Sequence, residues 1–417
     1  MLNHRSLRVL IFSQYFWPEN FRINSLACAL KAQGYEVSAL TGKPNYPEGR
    51  FFSGYKGWGA QNEIWQGIPI FRIPVVARGK QSGLKLAFNY LSFIVSGLLF
   101  APFVLRKQKF DVIFVYAPSP IFQVMPASFL GWLRRVPVVL WVQDLWPQSA
   151  QATGYVKSPL LLKLLERLVR FAYAHTDLLL VQSQAFIEPV TKLAPRHIPV
   201  MYYPNSVEDA FYAPQPINVP GVKVLQNADF SVLFAGNIGK AQSVDTIVNA
   251  AKILKDHPQI SIVMMGSGSM SAWVAHQQQQ YALSNLHLVG HFPVETMPVL
   301  MRQAAVLLVT LKKDPIFAST IPSKIQAYLA TARPIIACLD GEGARLIQEA
   351  GAGLSVAAED ADGLAQAILR LYHATAQERE AMGLRGQAYF KQHFDEQKLT
   401  TELVLNFETL INNRETS

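Results

Sequence analysis

The stretch SVLFAGNIGKAQSVDTI, residues 231–247, decides the fold. It begins with an apolar run that ends at Gly236, continues through a short loop that holds Gly239, and enters a helical pattern after Lys240. The same order of apolar run, loop and helical stretch recurs before and after it along the chain. Strands that alternate with helices in this way indicate βαβ units and a parallel sheet.

The apolar runs fall into two series. The predicted buried strands cover residues 8–13, 35–40, 112–116, 138–142 and 178–181, and then 231–236, 260–266, 286–290, 305–310 and 334–339. Between the series, the periodicity lapses in a proline-rich segment, which indicates a connection between domains. We therefore predict two doubly wound α/β domains with a cleft between them. The predicted boundaries are 1–200 for the first domain, 201–228 for the linker, 229–390 for the second domain and 391–417 for a helical tail.

The composition excludes several classes of protein. Half of the 417 residues are hydrophobic and 16% are charged, whereas a disordered chain needs low hydrophobicity and high charge. Two cysteines, Cys28 and Cys338, are too few for a disulfide framework. The first residues lack the long apolar segment of a secretory signal. These features predict a folded protein of the reducing cytoplasm.

The net charge of +9 is unevenly distributed. Residues 1–215 hold 22 Lys and Arg against 11 Asp and Glu, whereas residues 216–417 hold 16 against 18. Such an asymmetry indicates an anionic partner, either nucleic acid or a membrane surface. The chain has no zinc-ligand spacing, aromatic RNA-binding motif or lysine-rich tail, so we predict an anionic membrane surface and no nucleic acid.

One uncharged stretch of 20 residues, Leu86 to Leu105, stands within this basic half. It is long enough to span a bilayer, although it lies between two predicted strands of one domain. Three interpretations stay open: a spanning helix, a helix that lies on or dips into the membrane, and a buried helix. The second is favoured by basic residues on both sides, which gain energy near an anionic leaflet: Lys80, Lys85, Arg106, Lys107 and Lys109.

Two glycine-containing loops follow strands of the second domain. They are Gly236-Asn237-Ile238-Gly239-Lys240 and Gly266-Ser267-Gly268-Ser269. Ligands of doubly wound domains bind beyond the carboxyl ends of the strands, where glycines allow close backbone approach and a helix N-terminus offers N–H groups to a phosphate. Either loop alone is equally well explained as a tight turn. Two in succession predict a site for a nucleotide diphosphate.

Two charged residues extend this prediction. Pro322 and Ser323 can start a helix, which places Lys324 in its first turn, where a cation is unfavourable unless a bound diphosphate compensates for it; the alternative is an exposed lysine. Asp144 follows a buried strand in VQDLWP (142–147) and is either a site carboxylate or a helix cap. The first strand leads into YFWPENFRIN (15–24) without G-x-G-x-x-G, so we predict no nicotinamide site there.

Six segments together resemble the family 4 glycosyltransferases of the GT-B fold. They are YFWPENFRIN (15–24), PNYPEG (44–49), VQDLWPQS (142–149), YPNSVEDAF (203–211), FAGNIGKAQSVDTI (234–247) and IPSKIQAYLATARPI (321–335). The combination of DLWP, PNYP and PSK is similar to the branch of colanic acid, O-antigen and capsule biosynthesis, which includes N-acetylfucosaminyltransferases.

The resemblance implies a retaining transfer of a sugar, such as an N-acetylated deoxyhexose, from a UDP-sugar to a saccharide on a polyprenyl diphosphate carrier. It implies a C-terminal domain that holds the donor, an N-terminal domain that holds the acceptor at the inner face of the membrane, and a last helix that returns to the N-terminal domain. It implies neither a cofactor nor a metal, and the sequence shows no metal-ligand spacing.

The resemblance also implies roles for individual residues. The donor-binding residues are Gly236, Asn237, Gly239, Lys240, Gln242, Gly266, Gly268, Ser323, Lys324, Gln326, Glu342 and Gly343. The acceptor-side residues are Glu19, Asn20, Arg22, Asn45, Tyr46 and Trp146. The catalytic residues are Asp144, Lys324 and Tyr116, with Asp144 orienting the acceptor in a same-face reaction for which the leaving diphosphate is the main base.

The chain departs from the family pattern at several of these positions. Asn237 and Gln242 stand where the family often has Arg and Lys, so Lys324, with Lys240, is expected to supply the positive charge. Ser319 and Ala327 replace the carboxylates of Glu-x7-Glu, and Tyr116 replaces a histidine. Gln326 and Glu342 are the candidates to hold the ribose. Two alternatives remain: a GT-B nucleotide-sugar 2-epimerase, and a catalytically silent homologue that binds sugar nucleotides.

Overall fold

The computed structural model describes residues 6–79, 83–152, 158–207, 209–211 and 222–415. Lys80, the first residues of the chain and residues 212–221 of the predicted linker lie outside these ranges. The chain divides into two compact units. Unit 1 comprises Met1–Pro204 and Glu396–Ser417, and unit 2 comprises Asn205–Asp395.

Unit 1 is built on an eight-stranded sheet in the order β3-β4-β2-β1-β5-β6-β7-β8. The first strand is central and the chain winds outward from it in both directions, as in doubly wound folds. The strands are β1 (Arg8–Phe12), β2 (Glu36–Thr41), β3 (Gln61–Trp65), β4 (Ile68–Arg72), β5 (Val112–Ala117), β6 (Val138–Val142), β7 (Leu178–Val181) and β8 (Val200–Tyr202).

The edge strand β3 differs from the parallel arrangement that the periodicity predicts. It pairs antiparallel with β4, with Gln61 opposite Arg72 and Trp65 opposite Ile68. The two residues between the strands, Gln66 and Gly67, have φ angles of 49° and 69°. Positive φ at both positions is the geometry of the two-residue turn that closes hairpins with the natural strand twist.

Helices cover both faces of this sheet. Alternate residues of β1 point to opposite sides, so that Leu10 and Phe12 belong to one core cluster and Val9 and Ile11 to the other. The first cluster is closed by α2, α3, α5 and α6, and the second by α1. The helices are α1 (Arg22–Ala32), α2 (Gly83–Val104), α3 (Val124–Arg134), α4 (Gln148–Ala152), α5 (Pro159–Ala174) and α6 (Ile187–Leu193).

Unit 2 is built on a six-stranded parallel sheet in the order β11-β10-β9-β12-β13-β14. Its strands are β9 (Phe230–Ala235), β10 (Ile260–Met265), β11 (Leu286–Gly290), β12 (Val306–Thr310), β13 (Ile335–Cys338) and β14 (Gly353–Val356). Its helices are α7 (Lys223–Asn227), α8 (Val244–Ile253), α9 (Ser271–Gln280), α10 (Met297–Gln303), α11 (Pro315–Ser319), α12 (Ser323–Ala330), α13 (Glu342–Glu349), α14 (Ala361–His373) and α15 (Ala376–His393).

The last helix, α16 (Glu396–Glu415), belongs to unit 1. Leu403 and Phe407 are completely buried in the same core cluster as α1, and the Phe407 ring lies 5.6 Å from that of Phe114. The chain thus leaves unit 1, forms the whole of unit 2, and returns to pack its final helix on the first sheet. The prediction of two doubly wound α/β domains with a returning helix is confirmed.

The uncharged stretch forms α2, which is buried along one row of residues only. Asn89, Phe93, Gly97 and Ala101 face the core at four-residue spacing. In the described part of the chain, α2 is the helix whose length and composition would allow it to cross a bilayer, and 22% of its most apolar window is buried. The interpretation as a plain buried helix is therefore wrong, because Phe93 and Ala101 anchor α2 to unit 1 while most of its apolar surface faces outward.

Candidate functional site

The two glycine loops of unit 2 lie in contact at the carboxyl ends of β9 and β10. Gly236 N–H donates to the Met265 carbonyl at 2.8 Å, and Ile238 N–H donates to the Ser267 carbonyl at 2.9 Å. A Cβ atom on Gly266 would lie 1.9 Å from the Gly236 oxygen, and Gly266 has a φ of 141°. The loops can pack together only because this position has no side chain.

Lys324 lies against the first of these loops. It occupies the first turn of α12, as predicted, and its Nζ donates to Gln242 Oε1 at 2.5 Å. The ammonium lies 3.8 Å from the centre of the Phe234 ring, and a Cβ on Gly236 would lie 2.6 Å from Lys324 Cε. Burial lowers the pKa of Lys324 from 10.5 to about 7. The structure therefore brings a desolvated cation, a helix N-terminus and two glycine loops together.

Tyr328 fixes α12 in this position, and sequence reasoning missed it. Its buried hydroxyl accepts a hydrogen bond from Ala235 N–H at 3.0 Å and lies 3.2 Å from the Ala235 carbonyl and 3.3 Å from the Leu308 carbonyl. Ala235 is the last residue of β9, so Tyr328 ties the helix to the strand that leads into the Gly236 loop. A tyrosine one helical turn after Lys324, on the buried face, was the available signal.

The start of α13 lies beside the start of α12. A Cβ on Gly343 would lie 3.0 Å from Ile325 Cδ1 and 3.5 Å from Pro322 Cδ, so this glycine allows the two helix N-termini to approach. Glu342 stands in the first turn of α13, where its carboxylate accepts from Arg345 Nε at 3.0 Å and Nη2 at 3.1 Å. Glu342 therefore lies near the start of α12, and its carboxylate forms an ion pair with Arg345.

The remaining donor-side predictions divide into exposed and buried residues. Asn237 and Lys240 are exposed, as is Ser323 at the start of α12. A Cβ on Gly268 would lie 2.4 Å from the Ile238 carbonyl. Gln326 is completely buried, and its amide nitrogen, in the orientation that satisfies its neighbours, donates to the Pro322 carbonyl at 3.0 Å. Gln326 therefore forms its hydrogen bond within the start of α12, and it does not lie among the exposed residues Asn237, Lys240 and Ser323.

In unit 1, Asp144 lies two residues beyond the end of β6. It is partly buried, and this burial raises the pKa of its carboxyl from 3.8 to about 6, against a hydrogen bond with Ser119 that lowers it. The Ser119 hydroxyl also accepts from Trp146 Nε1 at 3.2 Å. Ser119 follows the neighbouring strand β5, so the two strand ends hold the carboxylate and the predicted Trp146 through one hydroxyl.

Tyr116 and Arg22 lie close to this carboxylate. Burial raises the pKa of the Tyr116 phenol, the charge of Asp144 raises it further, and the charge of Arg22 lowers it. Tyr116 therefore stays protonated and can only donate or accept a hydrogen bond. Arg22 Nη1 is buried and has no hydrogen-bond partner among the residues that the structure describes.

A second group at the same sheet edge surrounds Glu19. Its Oε1 accepts from the backbone N–H groups of Asn45 and Tyr46, both at 2.7 Å, and burial raises the pKa of Glu19 to about 7. Arg78 closes the group: its backbone N–H donates to Asn45 Oδ1 at 2.9 Å, and its guanidinium lies 5.2 Å from the centre of the Tyr46 ring. Asn20 is exposed beside it.

Within the described ranges, no group of three or more His, Cys, Asp or Glu side chains is arranged to hold a metal ion. The positive charge at the unit 2 edge comes from Lys324, from Lys240 and from helix N-termini.

Two family models match the chain, one on each side of its midpoint. The model described as a glycosyl transferase 4-like domain matches residues 20–206, and the model described as glycosyl transferases group 1 matches residues 229–374. Together they span most of the chain and both sheet edges described above. The chain is a GT-B glycosyltransferase of the family 4 type.

One curated relative of this glycosyltransferase is WcaI of Escherichia coli strain K12, whose name assigns it to colanic acid biosynthesis. The two proteins are 25% identical over 337 residues, which cover 78% of this chain and 81% of WcaI. The resemblance to the family and to colanic acid enzymes is thereby confirmed at this level.

Solved structures with the same fold include two of low sequence identity. Sucrose-phosphate synthase of Thermosynechococcus elongatus aligns with a TM-score of 0.70 and 17% identity, over 98% of this glycosyltransferase and 100% of that chain. HepE of Anabaena, solved with UDP, aligns with a TM-score of 0.68 and 13% identity, over 97% of this chain and 100% of its own. At these identities the likeness establishes the fold.

Proposed function

We propose that this glycosyltransferase moves a sugar, an N-acetylated deoxyhexose, from a UDP-sugar to a saccharide carried on polyprenyl diphosphate, with retention of configuration, during assembly of a surface polysaccharide. The observation that carries the donor half is the position of Lys324. Its partly desolvated ammonium stands at a helix N-terminus against Gly236, where a Cβ atom would lie 2.6 Å from Lys324 Cε. A leaving diphosphate supplies the negative charge that this arrangement lacks.

Three of the similar proteins support the donor and the pathway. HepE was solved with UDP, and a trehalose-6-phosphate enzyme of Escherichia coli with the same fold was solved with UDP-2-fluoro glucose. WcaI is named for colanic acid biosynthesis. We take from these a uridine donor and a polysaccharide acceptor, and we retain the N-acetylfucosaminyltransferase-like branch from the sequence resemblance.

The chemistry follows from the two sheet edges. The diphosphate leaves against Lys324 and the backbone N–H groups of the glycine loops, without a cofactor or a metal ion, and these donors stabilise its growing charge. The acceptor hydroxyl approaches on the face that the diphosphate leaves, and the diphosphate takes its proton. Asp144 orients that hydroxyl, since its carboxylate is held by Ser119 and desolvated. Tyr116 donates a hydrogen bond beside it.

The membrane half of the proposal rests on the outward surface of α2. Large apolar side chains lie along it, each more than a third exposed. They are Leu84, Phe88, Leu91, Val95, Leu98, Leu99, Phe100 and Phe103. Five of them, Leu84, Phe88, Leu91, Val95 and Leu99, recur at spacings of three and four residues and lie opposite the buried row of Phe93 and Ala101, so the helix presents an apolar strip to the outside.

Two neighbouring helices extend this strip. On α3, Trp132 is 75% exposed and its ring lies 6.0 Å from that of Phe129. On α5, Leu160 is 79% exposed, and Leu164 is half exposed. Because α2, α3 and α5 pack on the same core cluster, we take these exposed side chains to belong to one apolar face of unit 1. Patches of this extent mark interaction sites, and exposed aromatic and leucine side chains suit a membrane interface.

Exposed basic residues follow directly at the end of α2. Arg106, Lys107 and Lys109 are exposed, and Lys85 is exposed in its first turn. Apolar surface between basic flanks matches the headgroup region of an anionic bilayer. We propose that the apolar face docks unit 1 peripherally on the inner, cytoplasmic face of the cell membrane, where a lipid-linked acceptor is found.

A donor-turnover assay tests the function. The protein is incubated with a panel of UDP-sugars, and free UDP and the sugar products are measured. Slow release of UDP supports a transferase. Interconversion of UDP-sugars without UDP release supports the 2-epimerase, and binding without turnover supports a silent homologue, so either result contradicts the proposal.

A vesicle co-sedimentation assay tests the membrane contact separately. Wild-type protein should bind vesicles that contain anionic lipid, and replacement of Phe88, Leu91 and Leu99 by serine should reduce binding more than tenfold, since each buried apolar side chain contributes about 1.5–3 kcal/mol. The matched control is Leu405→Ser on α16, an exposed leucine on the other side of the sheet. Equal binding by the triple variant and the wild type would contradict docking through this face.

A further inference from the structure

A cavity of unit 2 lies away from the glycine loops. It has a volume of about 550 Å³, and residues that directly precede strands line it: Ala305 before β12 and Pro334 before β13. The strands of this sheet are parallel, so the cavity lies at their amino ends, whereas the glycine loops and Lys324 lie at the carboxyl ends. The five residues of β12 separate the two edges by roughly 15 Å.

Arginines dominate the charge of this cavity. Arg302 at the end of α10, Arg333 in the turn after α12, and Arg379 on α15 line it, and Glu380 is the one carboxylate among its lining residues. Within the described part of the chain, the guanidiniums of Arg302 and Arg333 donate no hydrogen bond. Burial is the largest cause that lowers the pKa of the Arg333 guanidinium; the charge of Glu380 raises this pKa, and the nearby charge of Arg302 lowers it. Three arginines against one glutamate still leave the lining with an excess of two positive charges.

The third arginine is already held in place. Arg379 Nη1 donates to the Leu371 carbonyl at 2.9 Å and to the Ala374 carbonyl, and its guanidinium lies 5.3 Å from the centre of the Phe230 ring. Arg379 is therefore a fixed cation at the wall. It loses little side-chain entropy when a ligand arrives, in contrast to a long side chain in solvent.

The remaining walls are small and tightly supported. A Cβ on Gly383 of α15 would lie 2.1 Å from the Ala332 carbonyl and 3.0 Å from Arg333 N, so α15 packs directly against the turn that carries Arg333. Ala332 and Ala376 leave the cavity open, and Leu384 supplies an apolar wall. The turn that carries Arg333 and the helix that carries Arg379 therefore pack directly against each other beside the cavity.

We propose that this cavity binds a small molecule that carries a phosphate group, separately from the sugar-nucleotide donor. Guanidinium groups present planar pairs of donors that match phosphate oxygens, and a phosphate dianion compensates for the two positive charges that Glu380 leaves. The volume is in the range of small-molecule sites, so a phosphorylated metabolite fits and not only the bare ion. The site does not depend on the donor edge or on the proposed reaction.

Isothermal titration of the full-length protein with inorganic pyrophosphate at low ionic strength, in the presence of saturating UDP to occupy the donor edge, tests this site. The wild type should bind, and the double variant Arg302→Gln/Arg333→Gln should bind at least tenfold more weakly. Lys324→Met removes the cation of the donor edge and should leave this binding event unchanged. Lys391→Ala, which removes an exposed charge elsewhere on α15, is the matched control.

A second variant protects the test against misfolding of the double variant. Leu384→Glu adds a carboxylate at a position where the side chain is 53% exposed, so the fold should tolerate it, and it should also weaken pyrophosphate binding at least tenfold. The proposal is overturned if the wild type shows no binding event, if the arginine and Leu384 variants bind like the wild type, or if Lys324→Met alone abolishes binding. The last result would place the anion at the donor edge.

Discussion

The carboxyl edges of the two sheets are formed by different chemical groups. In unit 2 the edge is mostly backbone, formed by Gly236, Gly266 and their loops, with one desolvated cation at Lys324. In unit 1 it consists of side chains, with the carboxylates of Glu19 and Asp144 held by backbone and hydroxyl donors. Bare backbone lets a ligand's phosphates approach closely, whereas placed carboxylates can orient hydroxyl groups. The difference supports the proposal that unit 2 binds the donor and unit 1 the acceptor.

Burial acts on the two edges with opposite sign. It lowers the pKa of Lys324 to about 7 and raises the pKa values of Asp144 to about 6 and of Glu19 to about 7. The charged form is disfavoured in every case. Each edge should therefore respond to its ligand by a change in protonation, and the following experiments separate the two responses.

The largest expected effect belongs to the cation of unit 2. Lys324→Met should lower kcat/KM for sugar transfer by about 10²–10³, the range for loss of one preorganised electrostatic group. Steady-state kinetics with the donor varied would measure it. Lys313→Met, which removes an exposed lysine after β12, is the control. If Lys324→Met has wild-type kinetics, Lys324 does not act on the donor, and the proposed electrostatic difference between the two edges is contradicted.

The next effect belongs to the carboxylate of unit 1. Asp144→Asn should lower the rate of transfer by about 10²-fold, as expected for a positioned catalytic group, while the Kd for UDP stays unchanged. Wild-type activity should rise with pH through about 6 as Asp144 ionises, and the variant should lose this step. Pre-steady-state transfer and UDP titration measure the two quantities. Unchanged transfer would show that the acceptor is not oriented by Asp144.

The same substitution should stabilise the fold at high pH. The pKa of Asp144 is raised in the folded state, so its contribution to stability is present below pH 4 and is lost as the pH rises through about 6. Asp144→Asn should therefore melt a few degrees above the wild type at pH 8, since about 1 kcal/mol shifts Tm by roughly 2–4 °C in domains of this size. At pH 4 the two melting temperatures should coincide. A destabilised variant at pH 8 would contradict the desolvation of this carboxylate.

A smaller effect tests the backbone character of unit 2. Gly236→Ala places a Cβ 2.6 Å from Lys324 Cε at a φ of 130°, so the side chain must move, and the donor KM should rise about tenfold. Gly290→Ala at the end of β11 is the matched control, because Gly290 also has a positive φ, of 81°, and nothing lies within 4 Å of its Cβ position. Equal KM values for the two variants would show that close approach at Gly236 is unnecessary.

The smallest expected effect is the uptake of a proton when UDP binds. Because the pKa of Lys324 is about 7, a bound diphosphate should raise it, and UDP binding at pH 8 should take up about one proton. Titration calorimetry in buffers of different ionisation enthalpy measures this uptake. Lys324→Met should bind UDP without it. Uptake that persists in the variant would assign the proton to another group.

The positions of most strands could be predicted from the sequence because they depend on local patterns. Apolar runs located five of the six strands of unit 2 but not β14, and Pro322 and Ser323 placed Lys324 in a first helical turn. The hairpin of β3 and β4 was missed because Gln66-Gly67 lacks the usual Asn-Gly or Asp-Gly signal. For α2 the pattern was ambiguous, since an apolar helix without charges does not reveal which row of residues is buried.

Side-chain partners across the fold could not be predicted. Ser119 joins Asp144 only because β5 and β6 are neighbours in the sheet, and Tyr328 reaches Ala235 across 93 residues. Its place in a motif makes Gln326 one of two candidates to hold the ribose, but the motif does not reveal that its amide donates to the Pro322 carbonyl. These contacts depend on the register of distant segments, which the local sequence does not encode.

In the proposed function, unit 2 releases UDP from a sugar donor while unit 1 presents an acceptor at a membrane. Its most direct test is to incubate the protein with UDP-sugars and anionic vesicles that carry a polyprenyl-diphosphate saccharide, and to measure UDP together with sugar on the lipid. We predict that UDP release and lipid glycosylation rise together, with the anomeric configuration of the donor retained. UDP-sugars that are interconverted without UDP release, or bound without any turnover in the presence of this acceptor, would contradict the account.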